Sequence, residues 1–332
     1  MIFLRARPDC RYNDAMESII KKPDDLVTSR EQTRAGFLSF ALEKNRQSTP
    51  VIESAKSFRE LASHVTTARE LLHVATIRSA MLTATGLSDK SLKYLTEQDK
   101  NEAIAGLIEN FLEPAGEHFA DEAVYRYLLF KGDSLGGTMR NIFGALAQRK
   151  LIRAFLSNLS VAGISYQWIG ATAGEWSDKP SNDYAIEEHL KALRWMNSQG
   201  EVRVLAFNLT IPLVGNNVDI CLFCARAETC RVNELALAPE TIVMLGELKG
   251  GIDPAGADER WKTGNTALTR IREAFAKNRL NVHTSFLAAA IEKKMADEIF
   301  TQLKNSTLSC AANVTIDAQL IHYCDWLLKI SS

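Results

Sequence analysis

The sequence predicts an α/β protein: a mixed β-sheet flanked by helices, preceded by a mostly helical N-terminal region. Three observations predict that class. From about Asp14 to Leu159, apolar residues recur at spacings of three and four, the period of helices with one buried face. After Ser160 the pattern changes to short apolar runs of strand length, separated by helical stretches. The 332 residues are 46% hydrophobic and 24% charged, the profile of a soluble protein with a sizeable core. The boundary falls between a helical region over residues 1–159 and an α/β core over residues 160–332 that holds the chemistry.

Each element has its own signal. SFRELASHVTTARELLHVATIRSAMLTA places Leu61, Val65, Leu72 and Ile77 near one helical stripe. DKNEAIAGLIENFLEP reads as a helix closed by Pro114, and EHFADEAVYRYLLFK as the next. In KGDSLGGTMRNIFGALAQRKLIRAFLSNL a glycine turn leads into an amphipathic helix bearing Met139, Ile142, Phe143, Leu146, Ile152 and Phe155. ISYQWIG is expected as a strand and IEEHLKALRWMNSQG as a helix ending at Gly200. EVRVLAFNLTIP and NVDICLFC form two adjacent strands about the turn from Leu213 to Asn217, and TIVMLGELK forms another. ADERWKTGNTALTRIREAFAKN is expected as a helix, HTSFLAAAI as a short strand and DAQLIHYCDWLLKI as a helix. There is no internal repeat and no low-complexity tract.

Composition excludes several functional classes. The net charge of −1 gives no global field for a polyanion, so any nucleic-acid site must be a local patch. The opening residues MIFLRARPDCRYND lack the apolar core of a secretory signal, and no apolar run reaches the length of a membrane span. The expected location is the cytoplasm, with no membrane partner and with the six cysteines as reduced thiols. Cys221 and Cys224 have zinc-ligand spacing, but in a strand residues three apart face opposite ways, so they read as core thiols.

The chemistry concentrates in VMLGELKGGIDPAGADERWKT, Val243 to Thr263. Residues two apart in a strand share a face, so Val243, Leu245, Glu247 and Lys249 are expected to point together. The preceding strand carries Asp219 between Val218 and Ile220, and if the strands are neighbours Asp219 and Glu247 converge. Paired carboxylates repel unless a proton or cation lies between them. Hard oxygen donors with open positions suit Mg²⁺, with Mn²⁺ as a substitute. A lysine beside such an ion can orient water, and these are the parts phosphodiester hydrolysis needs. On spacing alone, the alternative remains an exposed strand end carrying a Glu–Lys pair.

Asp219 followed at a distance by Glu247-Leu-Lys249 resembles the motif of the PD-(D/E)xK nucleases. GELKGGIDPAGADERWKTGNTALTRIR, Gly246 to Arg272, closely resembles the active-site segment of type II restriction endonucleases of the AvaI/BsoBI kind. GDSLGGTMRNIFGALAQ also looks like segments of type II restriction enzymes. Two departures stand out: Val218 rather than proline precedes the acid, and Arg260 stands where that family carries histidine. The resemblance implies Mg²⁺ bound by Asp219, Glu247 and the Leu248 carbonyl, Lys249 positioning the attacking water, and products with a 5′ phosphate and a 3′ hydroxyl. It also implies double-stranded DNA as substrate, a homodimer cutting both strands of a palindrome, and a cognate DNA methyltransferase.

The glycine-rich turn then reads as a DNA-facing loop. Gly250 and Gly251 let the backbone leave the strand sharply, and an acid there suits the cytosine N4 amino group in the major groove. Asp253 is the first candidate base reader and Asp258 the second, with an Asx turn and a helix cap as their respective alternatives. Arg260 and Lys262 open a helix, and the stretch from Lys131 to Arg153 has five Lys/Arg against one acid. There Ser134, Arg140 and Asn141 are candidate DNA contacts, with Gly132–Gly137 as a backbone phosphate cradle. Arg140 has an internal ion pair as its alternative role. The rival functions are a repair or structure-specific nuclease on the same core, and a DNA-binding protein that does not cleave.

Overall fold

The computed structural model describes residues 19–139, 141–170, 175–225 and 231–331. They divide into two compact units, one formed by Leu38–Ile142 and the other by the described residues on either side.

The helical unit is built from most of α1 (Arg30–Ala62), then α2 (Arg78–Ala84), α3 (Glu97–Leu107) and α4 (Phe119–Met139). Phe58, Leu71, Ile77, Met81, Ile104, Leu107, Leu112 and Tyr127 form its core. The continuous apolar stripe expected from Leu61 to Ile77 is broken. α1 stops at Ala62, and Thr67 is extended (φ −130°, ψ 151°) before short 3-10 turns lead into α2. The β-branched run Val65-Thr-Thr67 is a poor helix interior, so the chain turns there. The expected glycine turn is absent as well. Gly132–Gly137 lies inside α4, where its N–H groups belong to the helix ladder, so it offers no phosphate cradle. No atom packs where Gly132 or Gly136 would carry a side chain, so nothing in the packing requires either glycine.

The second unit is a mixed sheet between two helical layers. α5 (Ile142–Val161) precedes β1 (Tyr166–Gly170), β2 (Ser177–Asp178), β3 (Leu190–Met196), β4 (Val202–Ile211) and β5 (Asn216–Ala225). Then come α6 (Val232–Leu237), β6 (Ile242–Lys249), α7 (Ala257–Lys277), β7 (His283–Ala288), α8 (Lys293–Lys304), β8 (Cys310–Asn313) and α9 (Asp317–Ile330). The strand order is β2-β1-β3-β4-β5-β6-β7-β8. Pairing is antiparallel from β2 through β6 and parallel from β6 to β8. One face is covered by α5 and α9 through Leu151, Phe155, Leu320, Tyr323 and Trp326. The other is covered by α7 and α8 through Trp261, Leu268, Ile271, Phe275, Met295 and Ile299. α5 lay inside the helical region of the sequence reading, which runs to residue 159, yet its apolar stripe is buried against the sheet.

The segment read as a helix from Ile186 to Gly200 is instead a short 3-10 turn followed by β3. Leu193 and Trp195 pack on the α5 and α9 face and Ala192 on the other, so the true period is two. A strand buried on both faces loses its polar–apolar alternation, and its Leu, Lys and Ala residues then mimic a helix. α6, α8 and β8 lie outside the elements that the sequence predicts. Before α1, the chain from Leu26 to Thr28 is tied to the sheet: Asn313 Nδ2 donates to the Leu26 carbonyl at 2.9 Å and to Thr28 Oγ1 at 2.8 Å. No helix among the described residues is long and apolar enough to cross a membrane.

Candidate active site

The two strands that carry the acids are neighbours. β5 and β6 run antiparallel with Ile220 opposite Gly246, which sets Asp219 beside Glu247. Leu222 pairs with Met244 and Phe223 with Ile242, so Val243 is the extra residue of a β-bulge. The bulge turns Val243 toward α5 and α9, so it does not share the face of Leu245, Glu247 and Lys249, as strict alternation predicts. Glu247 and Lys249 lie under α7, with Phe286 of β7 paired beside Glu247.

Three charged groups meet at this strand end. Lys249 Nζ donates to Glu247 Oε2 at 2.6 Å and to Asp219 Oδ2 at 3.4 Å. The Leu248 amide donates to Asp219 Oδ2 at 2.8 Å, so the backbone itself orients that carboxylate. Glu247 is only 5% exposed. Burial first, and the Asp219 charge second, push its pKa up to about 7, with Lys249 acting in the opposite sense. For Lys249 burial favours deprotonation, but Asp219 and Glu247 outweigh it and the net shift is upward, so the group stays an ammonium.

The Glu247 shift makes a testable statement about stability. Unfolded, Glu247 ionises near the ordinary 4.5; folded, it holds its proton to about 7. Between those values the folded chain binds a proton that the unfolded chain has released, so metal-free stability declines as pH rises through the window. Glu247→Gln is expected to flatten that decline, on the order of 2 kcal/mol, in urea denaturation compared at about pH 5 and about pH 8. An unaltered pH slope in the variant would mean that Glu247 ionises normally.

The donor set fits a hard divalent cation. Two oxygen-bearing side chains crowd one spot, one of them buried, and the Lys249 ammonium pairs with both. Among the described residues no group of three His, Cys, Asp or Glu side chains could hold an ion. With two carboxylates from the described residues, backbone carbonyls and water would complete the shell of a Mg²⁺ ion, which commonly keeps several waters.

Glycines let neighbouring elements close around these groups. A methyl at Gly264 of α7 would lie 2.7 Å from the Phe286 ring and 3.5 Å from Lys249 Cε, so α7 rests directly on the site. One on Gly246 would overlap Ser285 Oγ, which hydrogen-bonds Tyr323 at 2.8 Å. Gly250 touches the backbone of Phe143 and Gly144 at the start of α5. Trp261 stacks edge-on against Phe286 at 4.9 Å and its indole N–H donates to Glu298 at 2.6 Å. Gly246, Gly264 and Ser285 are not among the site residues that the sequence predicts; for the two glycines the signal is an isolated glycine inside a regular strand or helix, which marks a close approach.

The loop after Lys249 carries the other candidates. Asp253 is exposed, and its carboxylate accepts the Ala255 amide at 3.0 Å in an Asx turn. Asp258 and Lys262 pair with each other at 2.6 Å along α7. Arg260 folds back and donates to the Asp253 carbonyl, and burial pulls its pKa below the usual value. Ser134 and Asn141 are exposed in the helical unit, whereas Arg140 lies outside the described residues. Cys221 is buried and Cys224 partly so, and among the described residues neither belongs to a group that could hold a metal ion.

Known proteins are similar to this chain along nearly its whole length. Residues 16–330 match the family model described as restriction endonuclease BsobI. The chain is 52% identical over 317 residues to the type II restriction enzyme BsoBI of Geobacillus stearothermophilus, covering 95% of this chain and 98% of that protein. It is 46% identical over 315 residues to the type II restriction enzyme AvaI of a Nostoc species, covering 94% and 98%.

Proposed function

The chain belongs to the BsobI restriction endonuclease family, and from that premise we propose that it cuts both strands of a short palindromic double-stranded DNA site in a Mg²⁺-dependent reaction. It is a type II restriction endonuclease by that membership. The observation that carries the finer reading is the convergence of Asp219, Glu247 and Lys249 at one strand end.

Asp219 and Glu247, with the Leu248 carbonyl, would hold the ion, which supplies a polarised phosphoryl oxygen and a more acidic water. Lys249 Nζ, held between the two carboxylates, donates to the attacking water and to the negative charge that grows on the phosphoryl oxygens. Water oxygen bonds to phosphorus, the bond to the 3′ oxygen breaks, and a proton passes to that oxygen. A 5′ phosphate and a 3′ hydroxyl result. The Leu248 amide fixes the Asp219 carboxylate before substrate arrives, so less reorganisation is needed during the reaction.

Two equivalent cuts require two copies of the site, hence a two-fold homodimer. A cytoplasmic enzyme of this kind also requires a methyltransferase to protect the host's own sites. Asp253 is the proposed cytosine reader, because it is an exposed acid in the loop that follows Lys249. Asp253→Ala is expected to reduce discrimination at one base pair by about 1–3 kcal/mol, measured as the ratio of cleavage rates on cognate and single-substitution duplexes. Unchanged site preference would remove it from the recognition set.

Incubating the protein with plasmid DNA and Mg²⁺ tests the whole reading. Discrete fragments with ends mapping to one palindrome are expected. A smear would indicate a nuclease without sequence preference, and intact plasmid a protein that binds without cutting.

A further inference from the structure

Arg260 heads α7, where a DNA-facing arginine would extend into solvent. Its side chain turns the other way. The guanidinium lies across the loop that follows Lys249 and donates to the Asp253 carbonyl, which also accepts the Gly256 amide at 3.3 Å. The space it fills exists only because two residues lack side chains. A methyl on Gly251 would lie 2.9 Å from both the guanidinium carbon and Nη1, and one on Gly256 would lie 2.5 Å from Nη1. On the other side of Asp253, Ile252 is buried and packs against Gly36. Asp253 is thereby held by its backbone from both sides while the residue stays exposed, one carboxylate oxygen accepting the Ala255 amide.

We infer that Arg260 is a positioning residue: it braces the loop of residues 251–256 in the free protein and so presents Asp253, rather than contacting DNA itself. The inference rests on the reading of Asp253 as a base reader. The physical logic is preorganisation: a loop fixed before binding loses less conformational freedom on the DNA, and a reader held in one place rejects wrong bases more sharply.

Two substitutions test it from opposite sides. Arg260→Met removes the brace. Gly256→Ala keeps every charge, and its new methyl displaces only the movable end of Arg260; the backbone at that position (φ −99°, ψ 4°) suits alanine. Hydrogen exchange of the Ala255 and Gly256 amides, which both bond to Asp253, is measured first in DNA-free protein. Both variants are expected to exchange at least about 10-fold faster there, with thermal midpoints close to the parent's. On DNA, both are expected to lower the cognate-to-variant ratio of kcat/KM by about 10-fold, and the double variant no further than either alone.

Binding in Ca²⁺ across a salt series separates the brace from a phosphate contact. The expected result for Gly256→Ala is lost discrimination with the parent's salt slope. The inference is overturned if exchange is unchanged in both variants. It is equally overturned if Arg260→Met lowers the salt slope by about one unit while Gly256→Ala behaves like the parent, the signature of a lost phosphate contact. Should the parent cut no DNA, the restriction reading fails on its own terms, while the exchange experiment still decides whether Arg260 braces the loop.

Discussion

Lys249→Ala is expected to lower the single-turnover cleavage rate by roughly 100- to 1,000-fold, the usual cost of removing a fixed donor to developing charge. Specific binding in Ca²⁺ should stay within a few-fold of the parent. The structure separates the two outcomes because, among the described residues, Nζ donates to Glu247 at 2.6 Å and to Asp219 at 3.4 Å, the carboxylates of the proposed metal site rather than Asp253. The variant leaves two carboxylates facing each other without their ammonium, so the metal-free protein should melt at a lower temperature. Added Ca²⁺ should recover more of that loss than it adds to the parent, because the ion replaces the missing charge. Normal cutting by the variant would reject the role of Lys249. Lost cutting with lost binding would instead indicate a damaged fold.

Gly250→Ala is expected to have the second largest effect, although it adds one methyl and removes no functional group. That methyl would overlap the Phe143 carbonyl oxygen and lie 2.5 Å from its carbon and 2.8 Å from Gly144 Cα. These are backbone atoms, so no side chain can swing aside. Either β6 or the start of α5 must move, at about 1–3 kcal/mol for overpacking. Lys249 is the adjacent residue, and a misplacement of about 1 Å in a reacting group can cost on the order of 100-fold in rate. Urea unfolding and single-turnover cleavage should therefore both fall. Gly132→Ala in α4 is the control: nothing packs there, and alanine is the better helix former, so stability should be unchanged or higher. A Gly250→Ala enzyme with parental rate and stability would refute the close approach.

Whether an element is legible in the sequence depends on how many of its faces are buried. The helices with one polar face were legible: α7 exposes Lys262 and Arg270 and buries Trp261, Leu268, Ile271 and Phe275. β3 was not, because burial on both faces hides the alternation that distinguishes a strand. The glycines of residues 132–137 suggested a turn, but the helix ladder carried through them. Arg260 is a candidate DNA contact in the sequence because it stands in a local stripe of Lys and Arg on α7; the direction its side chain takes, by contrast, depends on the space left at Gly251 and Gly256.

Sequence alone determined the chemistry available to this protein: an acid in one strand, an acid and a lysine two residues apart in the next, and a glycine-rich acidic loop behind them. Side-chain type and local period are properties of the chain itself, so they can be read without coordinates. Tertiary structure alone decided that Asp219 meets Glu247 across a bulged antiparallel pair, that burial holds a proton on Glu247 up to about pH 7, and that Arg260 faces inward. Register, dielectric surroundings and free space arise only when distant segments pack, and no local pattern encodes them.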